Sequence, residues 1–258
     1  MAIHMLKQES EIPYFGQCDA RRQVNTHRPL APVTKDQLSL SLAKTSAERS
    51  AAESLLNRRY EWRGYGSSHK IRGSSNRTTF LAHLGQQLAG TITLAVDTEE
   101  GLAIDTLFKD VVDEYRNAPG AQICELTKFA FEKDEKGENN SLLARLFHAV
   151  FIYGMSSYRC TDLFIEVNPR HRRFYQAMLG FKPVGGLRMN ATVDAPSQLM
   201  WISVSEVAEQ IAAFRSEPAK PSRSLYSLFL SEAEEAMVMS RLAIGREPDP
   251  LSSLFERR

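Results

Sequence analysis

Cysteine is scarce in this chain. Cys18, Cys124 and Cys160 are odd in number and show no CxxC pair and no Cys/His ligand spacing, so neither a disulfide framework nor a zinc site is indicated. An excess of one charge is also missing: 32 basic residues against 31 acidic ones leave +1, and any charge-based recognition must be local. Long hydrophobic runs are missing too. The longest, around Leu146 to Met155, is interrupted by His148 and falls well short of the ~20 residues that a bilayer span requires. Residues Met1 to Glu9 lack the basic-then-apolar order of a signal peptide. These absences lead us to expect a cytoplasmic protein without metal, nucleic-acid partner or membrane insertion. With 43% hydrophobic residues in a chain of 258, one ordinary domain with extensions can bury a core, and a fully disordered chain is excluded.

Residues 1–44 are polar and broken by Pro13, Pro29 and Pro32, which reads as an irregular arm. The chemistry-sized domain spans 45–214. Its first helix runs from Ser46 to about Tyr65. The segments 79–84 and 88–96, joined by Gly85-Gln86-Gln87, read as a β-hairpin. Residues 97–114 carry seven acidic side chains and one lysine, with a short helix near Leu107–Tyr115. Then come a strand (Gln122–Phe131), a polar loop (Glu132–Asn140), and a helix with Leu142, Leu143, Leu146, Phe147, Val150 and Phe151 on one face. A buried strand, Asp162–Val167, follows. Asn168-Pro169 supplies an N-cap and a proline at the first helical position of a helix that runs through Met178 and stops at Gly180. Two strands near Phe181–Leu187 and Leu199–Val204 and a short helix to Phe214 complete the domain. Residues 215–224 read as a linker, and 225–258 as a helical extension and tail, whose amphipathic helix (about Leu225–Leu242) is expected to dock on the domain or on a second copy, the latter giving a homodimer. This order implies an α/β fold with a mixed sheet and helices on both faces.

Two segments carry chemistry. In Cys124-Glu125-Leu126-Thr127-Lys128-Phe129-Ala130-Phe131, strict alternation puts Glu125 with Ile123, Thr127, Phe129 and Phe131 on a mostly apolar face. Burial there raises a carboxyl pKa toward the range of a general base. Lys128 has the opposite parity unless the strand is bulged, in which case its ammonium meets Glu125 and is placed to take the carboxylate of an acceptor. The bland alternative is a structural ion pair or a solvent-facing lysine. The second segment, Leu163 to Phe181, joins a buried strand to an N-capped helix ending Phe174-Tyr175 and Leu179-Gly180-Phe181. Tyr175 is at its simplest a core aromatic at helical spacing with His171 and Leu179.

Together these segments resemble the GNAT-type N-acyltransferases. The Glu-x-Thr-Lys-Phe-Ala strand, the Val-Asn-Pro-Arg-His turn and the Phe-Tyr-(x)3-Leu-Gly-Phe helix narrow the resemblance to the long-chain N-acyl amino acid synthases, relatives of the acyl-homoserine lactone synthases, over about residues 45–205. The resemblance implies a bacterial enzyme with a GNAT-like, mostly antiparallel twisted sheet. It would move a long acyl chain from acyl carrier protein to the amine of an amino acid. Glu125 and Tyr175 would be catalytic, with Tyr175 protonating the leaving thiolate. Lys128, Asn168 and His171 would bind substrate, and so would Arg59 in Arg58-Arg59-Tyr60-Glu61-Trp62-Arg63-Gly64-Tyr65, whose segment would wall the pockets.

One departure from the ordinary GNAT pattern bears on the donor. Between the Glu125 strand and the next helix, a pyrophosphate-binding loop rich in glycine is expected for a CoA enzyme. Residues 132–141 contain one glycine and four acids, which suits a phosphopantetheine arm on a carrier protein better than CoA. No cofactor would stay bound; acyl-phosphopantetheine is the donor, with acyl-CoA as the alternative. A carrier protein is acidic. Arg170, Arg172 and Arg173 belong to a local excess of six basic over two acidic side chains in 159–188 and are the expected docking residues, the alternative being a plain solvated face. The competing functions are an acetyl-CoA-dependent N-acetyltransferase on a small amine and a non-catalytic GNAT-fold module that binds an acylated ligand.

Overall fold

The computed structural model describes residues 38–132, 139–216 and 224–243. Within them the order is β1 (Leu38–Leu42), α1 (Ser46–Glu61), β2 (Arg77–Leu84), β3 (Gln87–Val96), α2 (Asp105–Arg116), β4 (Ile123–Phe131), α3 (Asn139–Tyr158), β5 (Asp162–Val167), α4 (Arg172–Leu179), β6 (Lys182–Asn190), β7 (Ala195–Ser203), α5 (Val204–Ser216) and α6 (Glu232–Ala243). Short 3-10 turns occupy Pro169–His171 and Leu225–Leu228. Seven strands form one sheet in the order β1-β2-β3-β4-β5-β7-β6. β4 and β5 pair parallel; all other neighbours pair antiparallel.

Period-2 alternation sorts the strand residues between two helical layers. In β5, Leu163 and Ile165 pack toward α3, whereas Phe164 joins Ile104, Phe108 and Val112 of the α2 segment. In β4, Cys124 and Leu126 face α3 and Ile123 faces α2. Helix α1 lies on the α2 side, where Ala52, Leu55 and Leu56 pack on Leu81 and Ala130. Its start is fixed by a capping box: Thr45 Oγ1 accepts the Glu48 amide at 3.2 Å and the Glu48 carboxylate accepts the Thr45 amide at 2.7 Å. It ends at Glu61, four residues before the expected Tyr65, because the chain turns through Gly64 and Gly66, both in the left-handed region (φ +78° and +81°).

Two expectations about the ends need correction. The described part of the supposed irregular arm contains an edge strand, since Leu38–Leu42 pairs antiparallel with Phe80–Leu84. A five-residue alternation was too short to stand out from its polar surroundings. Residues 1–37 lie outside the described residues. The single helix expected over 225–242 is two pieces, because Ser231 starts a new helix: its amide donates to Glu234 at 2.9 Å and its hydroxyl accepts the Glu234 amide at 3.4 Å. The extension packs on its own domain. Leu225, Tyr226 and Leu242 are buried in the α3-side core, the Leu230 amide donates to His148 Nδ1 at 2.9 Å, and Arg145 pairs with Glu234 at 2.7 Å. Most of the expected linker, 217–223, and the tail from 244 lie outside the described residues.

Two irregularities in β4 make room for a site. In the β3–β4 ladder Thr93 opposes Thr127 and Thr91 opposes Ala130, so Ile92 faces both Lys128 and Phe129. This is a β-bulge, with Lys128 at φ +53°. On the other edge, β4–β5 pairing covers only Ile123–Leu126 with Asp162–Ile165, although both strands continue. Past Leu126 and Ile165 the two strands diverge.

Candidate active site

A cleft of about 520 Å³ opens where β4 and β5 part, lined from β4 by the whole run Glu125–Phe129, from β5 by Ile165 to Val167, and by Asn168 just beyond it. Because β-strand side chains alternate, one face alone cannot supply five consecutive residues; the bulge and the freed strand edge together do so. The bulge also reverses parity along β4. Glu125 stays on the α2 face with Ile123, but Phe129 and Phe131 pack into the α3-side core, where the Phe129 ring lies 5.5 Å from that of Phe147, and Ala130 takes their place beside α1. The expected common face of Glu125, Phe129 and Phe131 is therefore corrected. Meanwhile Lys128, of the wrong parity in a regular strand, lines the cleft with Glu125.

Glu125 is 2% exposed, and its Oε2 accepts the amides of Ala103 at 2.8 Å and Ile104 at 3.4 Å at the start of α2. Burial dominates and pushes its carboxyl up to about 7, while the two amides and Arg77 work against it. A network around Arg116 holds α2 in place: its guanidinium reaches Asp97 at 2.6 Å, Asp105 at 2.7 Å and Asp113 at 2.8 Å. Much of the acidity of 97–114 is thus answered locally. Lys128 loses basicity through desolvation, with the Glu125 charge opposing.

The opposite wall comes from the segment after β5. Asn168 Oδ1 accepts the Arg170 amide at 3.2 Å, capping the 3-10 turn that replaces the first part of the expected Pro169–Met178 helix; α4 then ends at Gly180, which is left-handed (φ +84°). Asn168, His171 and Tyr175 all line the cleft. The Arg170 Nε donates to His171 Nε2 at 3.3 Å; burial and the Arg170 and Arg63 charges lower the imidazole to about 4, so it is neutral near pH 7. Burial drives the Tyr175 phenol well above its ordinary range, so it keeps its proton.

Two expected assignments change. Arg59 is not among the residues lining the cleft; its guanidinium lies 5.3 Å from the Trp62 ring centroid, because the helix end turns it aside. From the same segment Tyr60, Arg63 and Tyr65 line the cleft instead, joined by His69. The basic patch is also thinner than its sum: Arg188 forks onto Asp110 (2.6 and 2.7 Å), Lys182 pairs with Glu206 at 2.6 Å, and Arg170 donates to Tyr65 Oη at 2.7 Å. Arg172 and Arg173 remain exposed. The end of β6 also reaches the site, which its sequence did not signal: Asn190 lines the cleft and donates to Glu166 at 2.6 Å. The loop from 133 to 138, on which the expectation of a missing pyrophosphate site rests, lies outside the described residues. Among the described residues no cluster of three or more His, Cys, Asp or Glu is placed to hold a metal, and no helix is long and apolar enough to cross a membrane.

A carboxyl tuned to neutral pH, a protonated tyrosine and an ammonium on one cleft between diverging strands suit proton-coupled acyl transfer. The family model described as N-acyl amino acid synthase FeeM matches residues 51–203. The chain belongs to this family. It is an N-acyltransferase on a GNAT-like sheet, not a non-catalytic binding module. The solved structure of FeeM, an N-acyl amino acid synthase from uncultured soil microbes, is 27% identical, with a TM-score of 0.57 over 69% of this chain and 98% of that one. The acyl-homoserine lactone synthase LasI aligns at 14% identity and a TM-score of 0.49 over 65% and 90%. A putative N-acetyltransferase from Lactobacillus plantarum aligns at 15% and 0.46 over 65% and 98%. No curated protein matches the sequence.

Proposed function

We propose that this enzyme transfers a long-chain fatty acyl group from the phosphopantetheine thioester of an acyl carrier protein to the α-amine of an amino acid. The bulge at Lys128 carries the reading. It turns an ammonium into the cleft that holds the Glu125 carboxyl, and an α-amino acid offers an amine and a carboxylate one carbon apart for that pair. Both amides on Glu125 converge on Oε2, which leaves Oε1 for the incoming amine. The FeeM relative, named as an N-acyl amino acid synthase, supports an amino acid as acceptor.

The amine attacks the thioester carbonyl while its proton passes to Glu125, directly or through water. Amides of the β4 edge would hold the oxyanion, and the C–S bond breaks with its electron pair leaving on sulfur. Tyr175 protonates that sulfur. Phe129, Phe147 and Val167 supply an apolar wall for an acyl chain, and Asn168 and His171 contribute polar groups beside it. Exposed Arg172 and Arg173, in the first turn of the helix that bears Tyr175, suit an acidic carrier. A donor-by-acceptor screen read by mass spectrometry tests this, pairing acetyl-CoA, long-chain acyl-CoA and long-chain acyl carrier protein with amino acids and simple amines. Long-chain N-acyl amino acids formed fastest from carrier protein are expected. Acetylation of simple amines alone would overturn the reading in favour of a conventional acetyltransferase.

A further inference from the structure

We propose that Arg63 is a positioning residue that holds positive potential at the Tyr175 end of the cleft and thereby speeds departure of the thiolate. This rests on the reading of Tyr175 as the acid in acyl transfer. Charges of both signs line the cleft, with Lys128 beside Glu125 on β4. Glu125 and Glu166 line it on the strands, whereas Arg63 lines it from the turn after α1, close to Tyr60, Tyr175 and His171. Its charge acts on all three of those side chains. Among the described residues no carboxylate pairs with Arg63, in contrast to Arg116, Arg145, Arg188 and Arg215. A half-buried guanidinium without a counter-ion in a functional cleft leaves its field for charge that forms during reaction.

The turn that carries Arg63 is built to hold it there. The Arg63 amide donates to the Tyr60 carbonyl at 3.0 Å and the Tyr65 amide to the same carbonyl at 2.9 Å. Asn57 clasps the backbone of His69 through both its amide oxygen and its amide nitrogen, at 2.8 and 3.0 Å. Arg170 then ties Tyr65 to the 3-10 turn that leads into α4, the helix that bears Tyr175. The acid and the cation therefore belong to one cross-braced wall.

The step balances within the reaction already described. The C–N bond forms and the C–S bond breaks; the amine proton goes to Glu125 and the Tyr175 proton goes to the thiolate. The tyrosinate left behind is reprotonated from solvent as Glu125 releases its proton. Arg63 stabilises the tyrosinate and thiolate charge that exists only from the transition state onward.

The test varies the leaving group. One acyl chain is supplied on an alkyl thiol, N-acetylcysteamine, and on an aryl thiol, thiophenol, whose more acidic thiol leaves without needing a proton. With the full chain, Arg63→Gln and Tyr175→Phe are each expected to slow transfer from the alkyl thioester by about 10- to 100-fold and to return near wild-type rates with the aryl one. Arg63→Lys, which keeps the charge, should hold most of the activity. An Arg63→Gln loss equal for both donors, no loss at all, or a Tyr175→Phe defect that the aryl donor does not rescue would overturn the proposal. A wild-type enzyme that acylates no amino acid from any donor in the preceding screen would overturn the reading of function on which it rests.

Discussion

The amide of Ala103 donates to Glu125 Oε2 at 2.8 Å, so the carboxyl placed to accept a proton in the cleft also fastens the start of α2 to the sheet. The bond restrains one oxygen and fixes the group's orientation, while burial keeps it protonated to about pH 7. The proposed base and the anchor are one residue, and its substitution separates the two roles.

Acyl transfer should rise with pH as Glu125 ionises near 7. Glu125→Gln keeps an oxygen for the Ala103 amide, and is expected to fold, to lose about 10²- to 10⁴-fold in kcat/KM, and to lose this limb of the pH profile. Stability moves in the opposite sense. The folded carboxyl binds its proton more tightly than the unfolded one, so between about 4.5 and 7 the native state holds the extra proton; the stabilisation is complete at lower pH and gone once pH has risen through 7. Thermal unfolding of wild type and Glu125→Gln at pH 5 and pH 8 should show the variant gaining relative stability at the higher pH. A parallel pH dependence would mean that Glu125 ionises as an ordinary surface carboxylate.

Lys128 is tested through the acceptor. Lys128→Met should raise KM for an amino acid by about 10- to 100-fold, the cost of a lost charge-assisted contact, and leave KM for the corresponding amino-acid amide nearly unchanged. Equal effects on both acceptors would assign the ammonium to something other than the carboxylate. Lys128→Gly relieves the left-handed backbone at φ +53° and removes the same charge, so its acceptor profile should match that of Lys128→Met even where the stabilities differ.

Most of the architecture was legible because its signals are local. The Gly85 hairpin, the Asn168-Pro169 cap and the Gly180 stop each depend on a few neighbouring residues, and each stands in the structure. Glu125 was legible for the same reason: a carboxyl within an apolar strand has few places to go. Non-local features were not. Whether Lys128 joins Glu125 depends on a ladder register against β3, and whether Arg63 or Arg59 faces the cleft depends on where two glycines turn the chain after α1. The apparent charge of 159–188 misled for a related reason, since Arg188 and Lys182 find Asp110 and Glu206 from distant segments.

The docked C-terminal extension carries an acid-sensitive contact. His148 is fully buried, its Nδ1 accepts the Leu230 amide, Phe229 stacks on its ring at 4.8 Å, and Glu235 lies 3.3 Å from Nε2, with Glu234 and Arg215 nearby. Burial lowers the imidazole to about 4 against the pull of Glu235. The neutral ring therefore stabilises the fold fully above about 6.5 and progressively less as pH falls toward 4, where the unfolded chain takes up a proton that the folded one refuses. Between pH 7 and pH 5 the melting temperature of His148→Gln should fall less than that of wild type. An identical fall in both proteins would assign the acid lability elsewhere.

The proposed carrier docking would fall to Arg172 and Arg173, because Arg170 is held by Tyr65. The double variant Arg172→Glu, Arg173→Glu should lower kcat/KM with acyl carrier protein by at least about 10-fold at low ionic strength, and by less as salt screens these side chains. The same acyl group on N-acetylcysteamine has no carrier surface to dock, so its kcat/KM should be unchanged. The expected pattern is thus a donor-specific, salt-sensitive loss. A loss shared by both donors would place these arginines in the support of α4 and Tyr175, and no loss with carrier protein would move the docking face away from α4 altogether.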